Sequence, residues 1–278
     1  GATETRELKI VTVLGRDGIP AILDPEFLGV IEAFSQMDPG ERVLGLSING
    51  DQRAYPLNLL SRHEIVNDTV GGVPITVTYC PLCNSAVVFD RRLDGRVLDF
   101  GVSGNLRKSD MVMYDRQTES WWQQFLGQGI VGEMTGKRLK MLPARVESLA
   151  RFRARYPDGK VQMPTNPRFR AYGMNPYADY DGSARPFLYR GSMPKGIAPM
   201  AYVVAVGKQA WPLELLKTKK TVTTDRYRLT WAPGLNSALD SGEIAKGRDI
   251  GNLVVEKNAG GGWVDAVHDL TFAFVFHA

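Results

Sequence analysis

Cysteine and histidine are scarce in this chain. Its two cysteines, Cys80 and Cys83, share one Cys-Pro-Leu-Cys segment, and its three histidines are His63, His268 and His277. Two cysteines exclude the disulfide framework of a small secreted scaffold. They also exclude a four-cysteine zinc site or an iron–sulfur cluster held within one chain. No run approaches the roughly 20 apolar residues of a membrane helix, so no membrane span is expected. Neither sign of charge dominates: 34 Lys and Arg face 30 Asp and Glu, a net +4 over 278 residues. Arg107-Lys108 and Arg151-Phe-Arg-Ala-Arg155 then read as solvated faces, and no nucleic-acid partner is expected. The opening Gly1-Ala-Thr-Glu-Thr-Arg6 lacks a leader's charged-then-apolar pattern and reads as the start of a trimmed or mature chain, which does not exclude export. Gly101-Val-Ser-Gly104 and Gly260-Gly261-Gly262 lack phosphate-loop spacing and read as hairpin turns.

What is present is globular: 44% hydrophobic, 23% charged and 9% aromatic residues, enough for one large domain or two small ones. Short β-branched runs dominate. Ile10–Leu14, Val43–Ile48, Ile75–Tyr79 and Ala86–Phe89 read as strands, the last pairing with Val97–Phe100 across a turn at Asp90–Gly95. Asn49-Gly50 reads as a type I′ hairpin turn. Asp24 is placed to cap a short helix with Pro25 in its first turn. A second helical turn begins at Pro56 and carries His63, and Ser148–Arg155 reads as a third helix. The cysteines therefore fall between two strands. The fold class expected is mostly β (α+β), with short helices.

The chain also resembles itself. Ala54-Tyr-Pro-Leu-Asn-Leu-Leu60 matches Ala210-Trp-Pro-Leu-Glu-Leu-Leu216, and Thr78-Tyr-Cys-Pro-Leu-Cys-Asn-Ser-Ala86 matches Thr230-Trp-Ala-Pro-Gly-Leu-Asn-Ser-Ala238. Two motifs agreeing in order suggest two homologous, pseudo-symmetric β-rich halves. The expected division is a first half over 1–156 carrying the Cys-Pro-Leu-Cys site, a Pro/Gly-rich packed connector over 157–198, and a degenerate second half over 199–278. In this alignment Cys80 falls on Ala232, Cys83 on Leu235 and His63 on Lys219. A shared scaffold does not need two thiols and an imidazole, so the comparison points to those three as site residues.

Several segments are also similar to a known family. His63-Glu-Ile-Val-Asn-Asp68, Thr78-Tyr-Cys-Pro-Leu-Cys83, Val112-Met-Tyr-Asp-Arg116, Arg53-Ala-Tyr-Pro56 and Asp94–Gly104 resemble the bacterial and archaeal family called domain of unknown function 3179. The resemblance covers most of residues 17–180. It implies an exported or membrane-anchored protein and a periplasmic or extracellular setting, and it carries no settled activity.

The Cys-x-x-Cys pair admits four readings. Two thiolates across a tight turn can bind a metal ion, with His63 as a third ligand. That set suits copper as Cu(I), or zinc if water or a carboxylate such as Glu64 or Asp90 completes it. Alternatively the pair is a periplasmic thiol–disulfide oxidoreductase site, although strand-like residues after Cys83 do not supply the helix N-terminus of a thioredoxin. It can also be an inert structural disulfide in a non-enzymatic protein, or a nucleophile with His63 as base. The favoured expectation is an exported metal-binding protein, with copper the favoured ion and zinc the alternative, serving metal handling or a metal-dependent oxidation. Its partners would be a metal ion or small molecule and a redox or metal-delivery protein. Met113, Asp115, Arg116, Glu64 and Trp121 are the expected pocket residues, with a salt-bridged turn over a Trp core as the structural alternative for the Asp115–Trp122 group.

Overall fold

Runs of β-branched residues become strands wherever a second run can pair with them and cover one face. In the computed structural model, which describes residues 7–168 and 172–278, the protein is mostly β with short helices. Two sheets frame the first part of the chain. One has the order Met141–Leu142, Ser85–Asp90, Val73–Cys80, Ile65–Val70. The other has the order Arg145–Ser148, Arg42–Ile48, Asp51–Pro56, Lys160–Met163, Glu26–Gly29. A third sheet lays Ile10–Thr12, Phe100–Arg107, Asp110–Asp115, Trp121–Gln123 and Gln128–Val131 side by side. Later residues supply a three-stranded sheet centred on Tyr202–Val206 and a four-stranded one centred on Tyr227–Ala232 and Asn252–Asn258.

Four of these five sheets share the largest core, while the sheet around Arg42–Ile48 packs into two further buried clusters. A single buried cluster runs from Ile65, Cys80 and Cys83 through Met111, Met113 and Trp122 to Val204, Phe272 and Phe274. At roughly 25 cal/mol for each Å² of apolar surface removed from water, burial on this scale holds early and late residues together. The Lys160–Met163 strand pairs in parallel with Asp51–Pro56 and antiparallel with Glu26–Gly29, so part of the expected connector is built into the first sheet system.

The two Pro-Leu-x-Leu-Leu segments fold alike locally. Helices Leu57–His63 and Leu213–Lys219 each follow an extended proline, Pro56 (φ −63, ψ 134) and Pro212 (φ −58, ψ 135). Each ends at a positive-φ residue, Glu64 (φ 60) and Lys220 (φ 63). The carbonyls of those two residues accept from Tyr79 N and Trp231 N, both at 2.8 Å. The second motif diverges: Cys80 pairs with Ser85 in a hairpin, whereas Ala232 pairs with Asn252 across a long excursion.

Three local expectations are corrected. Residues 26–29 form a strand and not the start of a helix, because Lys160–Met163 offers them a ladder; the helix begins at Val30 and has no side-chain cap. Val97–Phe100 does not pair with Ala86–Phe89. Arg92–Leu93 turns back onto Arg96–Val97, and the strand from Phe100 enters another sheet. Gly101–Gly104 is not a turn: it lies inside the Phe100–Arg107 strand, where the register shifts between Val102 and Asn105. Ser148 caps the Leu149–Arg155 helix as its sequence suggests, accepting from Arg151 N at 3.3 Å. Asn49 and Gly50 both have positive φ, as a type I′ turn requires.

Candidate metal centre

The Cys-Pro-Leu-Cys segment is the turn of a hairpin. Strand Val73–Cys80 ends at Cys80, and Cys83 N donates back to Cys80 O at 3.2 Å. Pro81 occupies the second position of that turn, where its fixed φ is favoured. Asn84 takes φ 50 and redirects the chain into strand Ser85–Asp90. Two thiols spaced three apart thus face one side of the turn.

Later residues hold the turn from several directions. Thr271 Oγ1 donates to Cys83 O at 2.7 Å, and Asn84 Nδ2 donates to Leu270 O at 2.7 Å. Tyr180 Oη donates to Leu82 O at 2.8 Å. Asp269 accepts from the Ser85 hydroxyl and from Ala86 N. The polar groups of the turn are thus satisfied by residues from distant sequence, as buried polar groups require.

Both cysteines are free thiols, 2% and 0% exposed. Asp110, at the head of strand Asp110–Asp115, completes a group: both sulfurs and an Asp110 carboxylate oxygen lie within 4.8 Å of one another. Cys83 Sγ is 3.6 Å from Asp110 Oδ1 and 3.5 Å from Ser109 O. The other oxygen, Asp110 Oδ2, accepts from Gln123 Nε2 at 2.5 Å and Phe125 N at 2.9 Å. The carboxylate is therefore held by one oxygen and aims the other at the sulfurs.

Burial sets the electrostatics. It pushes both thiols up, Cys83 well above the ordinary thiol value, and nearby Asp110 adds to the effect. Burial also raises Asp110 to about 6, with the hydrogen bonds from Phe125 and Gln123 pulling the other way. Without a cation, both thiols hold their protons at neutral pH. A bound cation would reverse that preference.

Among the expected site residues, Cys80 and Cys83 sit together. His63 does not join them: its Nδ1 is 2.7 Å from Pro20 O, and its Nε2 is 2.8 Å from Tyr172 Oη. Asp90 is turned away to pair with Arg92. Asp115 accepts from Trp122 Nε1 at 2.9 Å and Thr118 N at 2.6 Å, anchoring a buried Trp. Arg116 pairs with Asp17, Met113 is fully buried, and Trp121 is half-buried on its strand. Of the five expected pocket residues, Glu64 alone lines the cavity beside the turn, a space of about 430 Å³ that Leu82 and Met111 also line.

Sequence reasoning missed Asp110. The one signal was local: an acidic residue at the start of a strongly apolar strand, Asp110-Met-Val-Met-Tyr114, in a position where burial needs a partner. Other residues of the resemblance segments turn out to be scaffold. Arg53 and Tyr55 both bond Asp68, and Asn67 exchanges two hydrogen bonds with the Phe100 backbone.

No curated protein and no solved structure matches the chain. A family profile does, and it extends the similarity well beyond the first 180 residues to nearly the whole chain, including the strands that clamp the cysteine turn. Matched over residues 16–276, the chain belongs to the family described as "protein of unknown function (DUF3179)".

Proposed function

We propose that Cys80, Cys83 and Asp110 bind one thiophilic metal ion, and that the protein handles this metal after export. The observation that carries the reading is the convergence of two thiols and one half-pinned carboxylate within 4.8 Å. Three protein donors leave room for a further ligand, the donor count of open zinc sites. Exchanging the expected imidazole for a carboxylate makes the set harder, which favours zinc over copper(I). Gln123 and Phe125 N supply the outer hydrogen bonds that orient a ligating carboxylate. The two Pro-Leu-x-Leu-Leu helices fit an ancient duplication in which one copy kept the ligands and the other kept the scaffold.

A thiol–disulfide catalyst needs an exposed, acidified thiol. Here both thiols are buried and raised, and Cys83 leads into the strand Ser85–Asp90, not into a helix. That weighs against the redox reading.

Elemental analysis of protein purified without chelator or nickel resin tests the proposal. The expected result is near-stoichiometric zinc, or copper, lost in Cys80→Ser and in Asp110→Ala while circular dichroism is preserved. Metal-free native protein that also fails to take up zinc or copper(I) on titration would overturn it. The reduction potential of the Cys80–Cys83 pair would then become the deciding measurement.

A further inference from the structure

The cavity beside the cysteine turn has a feature that the metal reading does not use. Its walls are apolar, with Leu82, Val102, Leu106, Met111, Tyr177 and Phe187 among them. Its rim carries exposed large hydrophobics, Val13, Leu14 and Phe187 at 46%, 44% and 50% exposure. Exposed apolar side chains gathered at one opening mark a binding mouth better than isolated ones do. A volume of about 430 Å³ falls in the range of small-molecule sites.

Glu64 lines this space at 7% exposure. Among the described residues, no hydrogen bond or ion pair reaches its carboxyl group. Its backbone is fixed by two bonds, Glu64 N to Leu60 O and Tyr79 N to Glu64 O, both 2.8 Å. The positive φ is not what sets this residue apart, since Lys220 shares it; Lys220 places its ammonium 4.1 Å from the centre of the Trp231 ring. What distinguishes Glu64 is a buried polar group that opens on a cavity and, among the described residues, has no hydrogen-bond or ion-pair partner. Such a group costs stability unless something else satisfies it.

We propose that the cavity binds a neutral, mostly apolar small molecule that presents one hydrogen-bond acceptor, such as a carbonyl oxygen, to Glu64. Burial raises the Glu64 carboxyl to about 8, so at neutral pH it retains the proton it would donate. The apolar walls supply the affinity and this one group supplies the orientation. Cys80, Cys83 and Asp110 do not line the cavity, but the Asp110 charge adds to the rise at Glu64, so the test is made with the metal removed.

Isothermal titration calorimetry at pH 7 with 2-octanone and octylammonium, with chelator present throughout, tests this. Native protein is expected to bind 2-octanone with a Kd of about 100 µM or tighter, and more tightly than octylammonium. Glu64→Gln keeps a donor and is expected to keep that affinity within about threefold, while Glu64→Leu loses about tenfold. Leu106→Trp, which fills the cavity, is expected to abolish binding. No binding by the native protein, an unchanged Kd in Glu64→Leu, or a preference for octylammonium would each overturn the proposal. Because the metal is chelated, these failures are separate from failure of the metal site.

Discussion

At the scale of single residues, the centre depends on how one carboxylate is aimed. Gln123 donates to Asp110 Oδ2 and is itself fixed by Arg107, whose Nη1 donates to Gln123 Oε1 at 3.0 Å. Gln123→Leu leaves both cysteines and Asp110 in place but removes one of the two hydrogen bonds on Asp110 Oδ2, leaving Phe125 N as its sole holder among the described residues. Metal affinity is expected to fall about 10- to 100-fold, the usual cost of losing an outer-shell partner. Competition against a chromogenic chelator reads this directly, and an unchanged affinity would remove Gln123 from the positioning role. The cysteine pair was legible in the sequence because its geometry is local: three residues, one proline, one turn. Asp110 was not, because a separate sheet brings it to the sulfurs. His63 has the right chemistry for a ligand, but the end of its helix directs the ring to Pro20 O and Tyr172 Oη. Side-chain chemistry can be read from sequence, whereas direction at a helix end depends on what packs against it.

At the scale of elements, glycines separate what is local from what is not. Gly50 and Gly104 have nearly identical φ, 81 and 80. A Cβ on Gly50 would meet nothing within 4 Å, while one on Gly104 would lie 2.1 Å from Leu14 O. Gly104 O also accepts from Val13 N and Leu14 N at 2.9 and 3.1 Å, so that contact anchors the edge chain over the cavity rim. Gly50→Ala is therefore expected to cost about 1 kcal/mol, from backbone conformation alone. Gly104→Ala is expected to cost about 3 kcal/mol or more, because backbone must move. Urea denaturation of the two variants side by side checks the contrast, and equal losses would refute it. The Asn49-Gly50 hairpin was legible because its pairing partner is adjacent. The bulge at Gly104 and the strand Glu26–Gly29 were not, since each exists for a partner far along the chain. Local propensity at Asp24-Pro25 favours a helix start, and the ladder with Lys160–Met163 overrides it.

At the scale of the molecule, buried carboxyl groups give the fold an unusual pH response. Burial raises Glu41 to about 7, Glu64 to about 8 and Asp269 to about 7, from ordinary values of 4.5, 4.5 and 3.8. An acid whose folded pKa lies above its unfolded one binds protons more tightly when folded. Between about pH 4 and pH 8 the unfolded chain has released protons that the folded chain still holds, so stability falls as pH rises through that window. Some groups oppose this. His268 is lowered by burial, which favours the fold as pH climbs through its ordinary range, and Asp51 and Asp90 are lowered by Arg53 and Arg92, an effect complete above about pH 4. One histidine against these three carboxyls, with Asp110 (raised to about 6) as a fourth, leaves the balance with the carboxyls. With chelator present, the urea midpoint is expected to be higher at pH 5 than at pH 8, and a higher midpoint at pH 8 would contradict the assignment. Glu64 should account for an identifiable share. Glu64→Leu removes its proton linkage, so the variant is expected to gain on the order of 2–4 kcal/mol over native protein at pH 8 and much less at pH 5. The same substitution is expected to weaken 2-octanone binding about tenfold. A residue whose removal strengthens the fold while emptying the cavity is one that folding does not explain, and ligand recognition gives its physical reason.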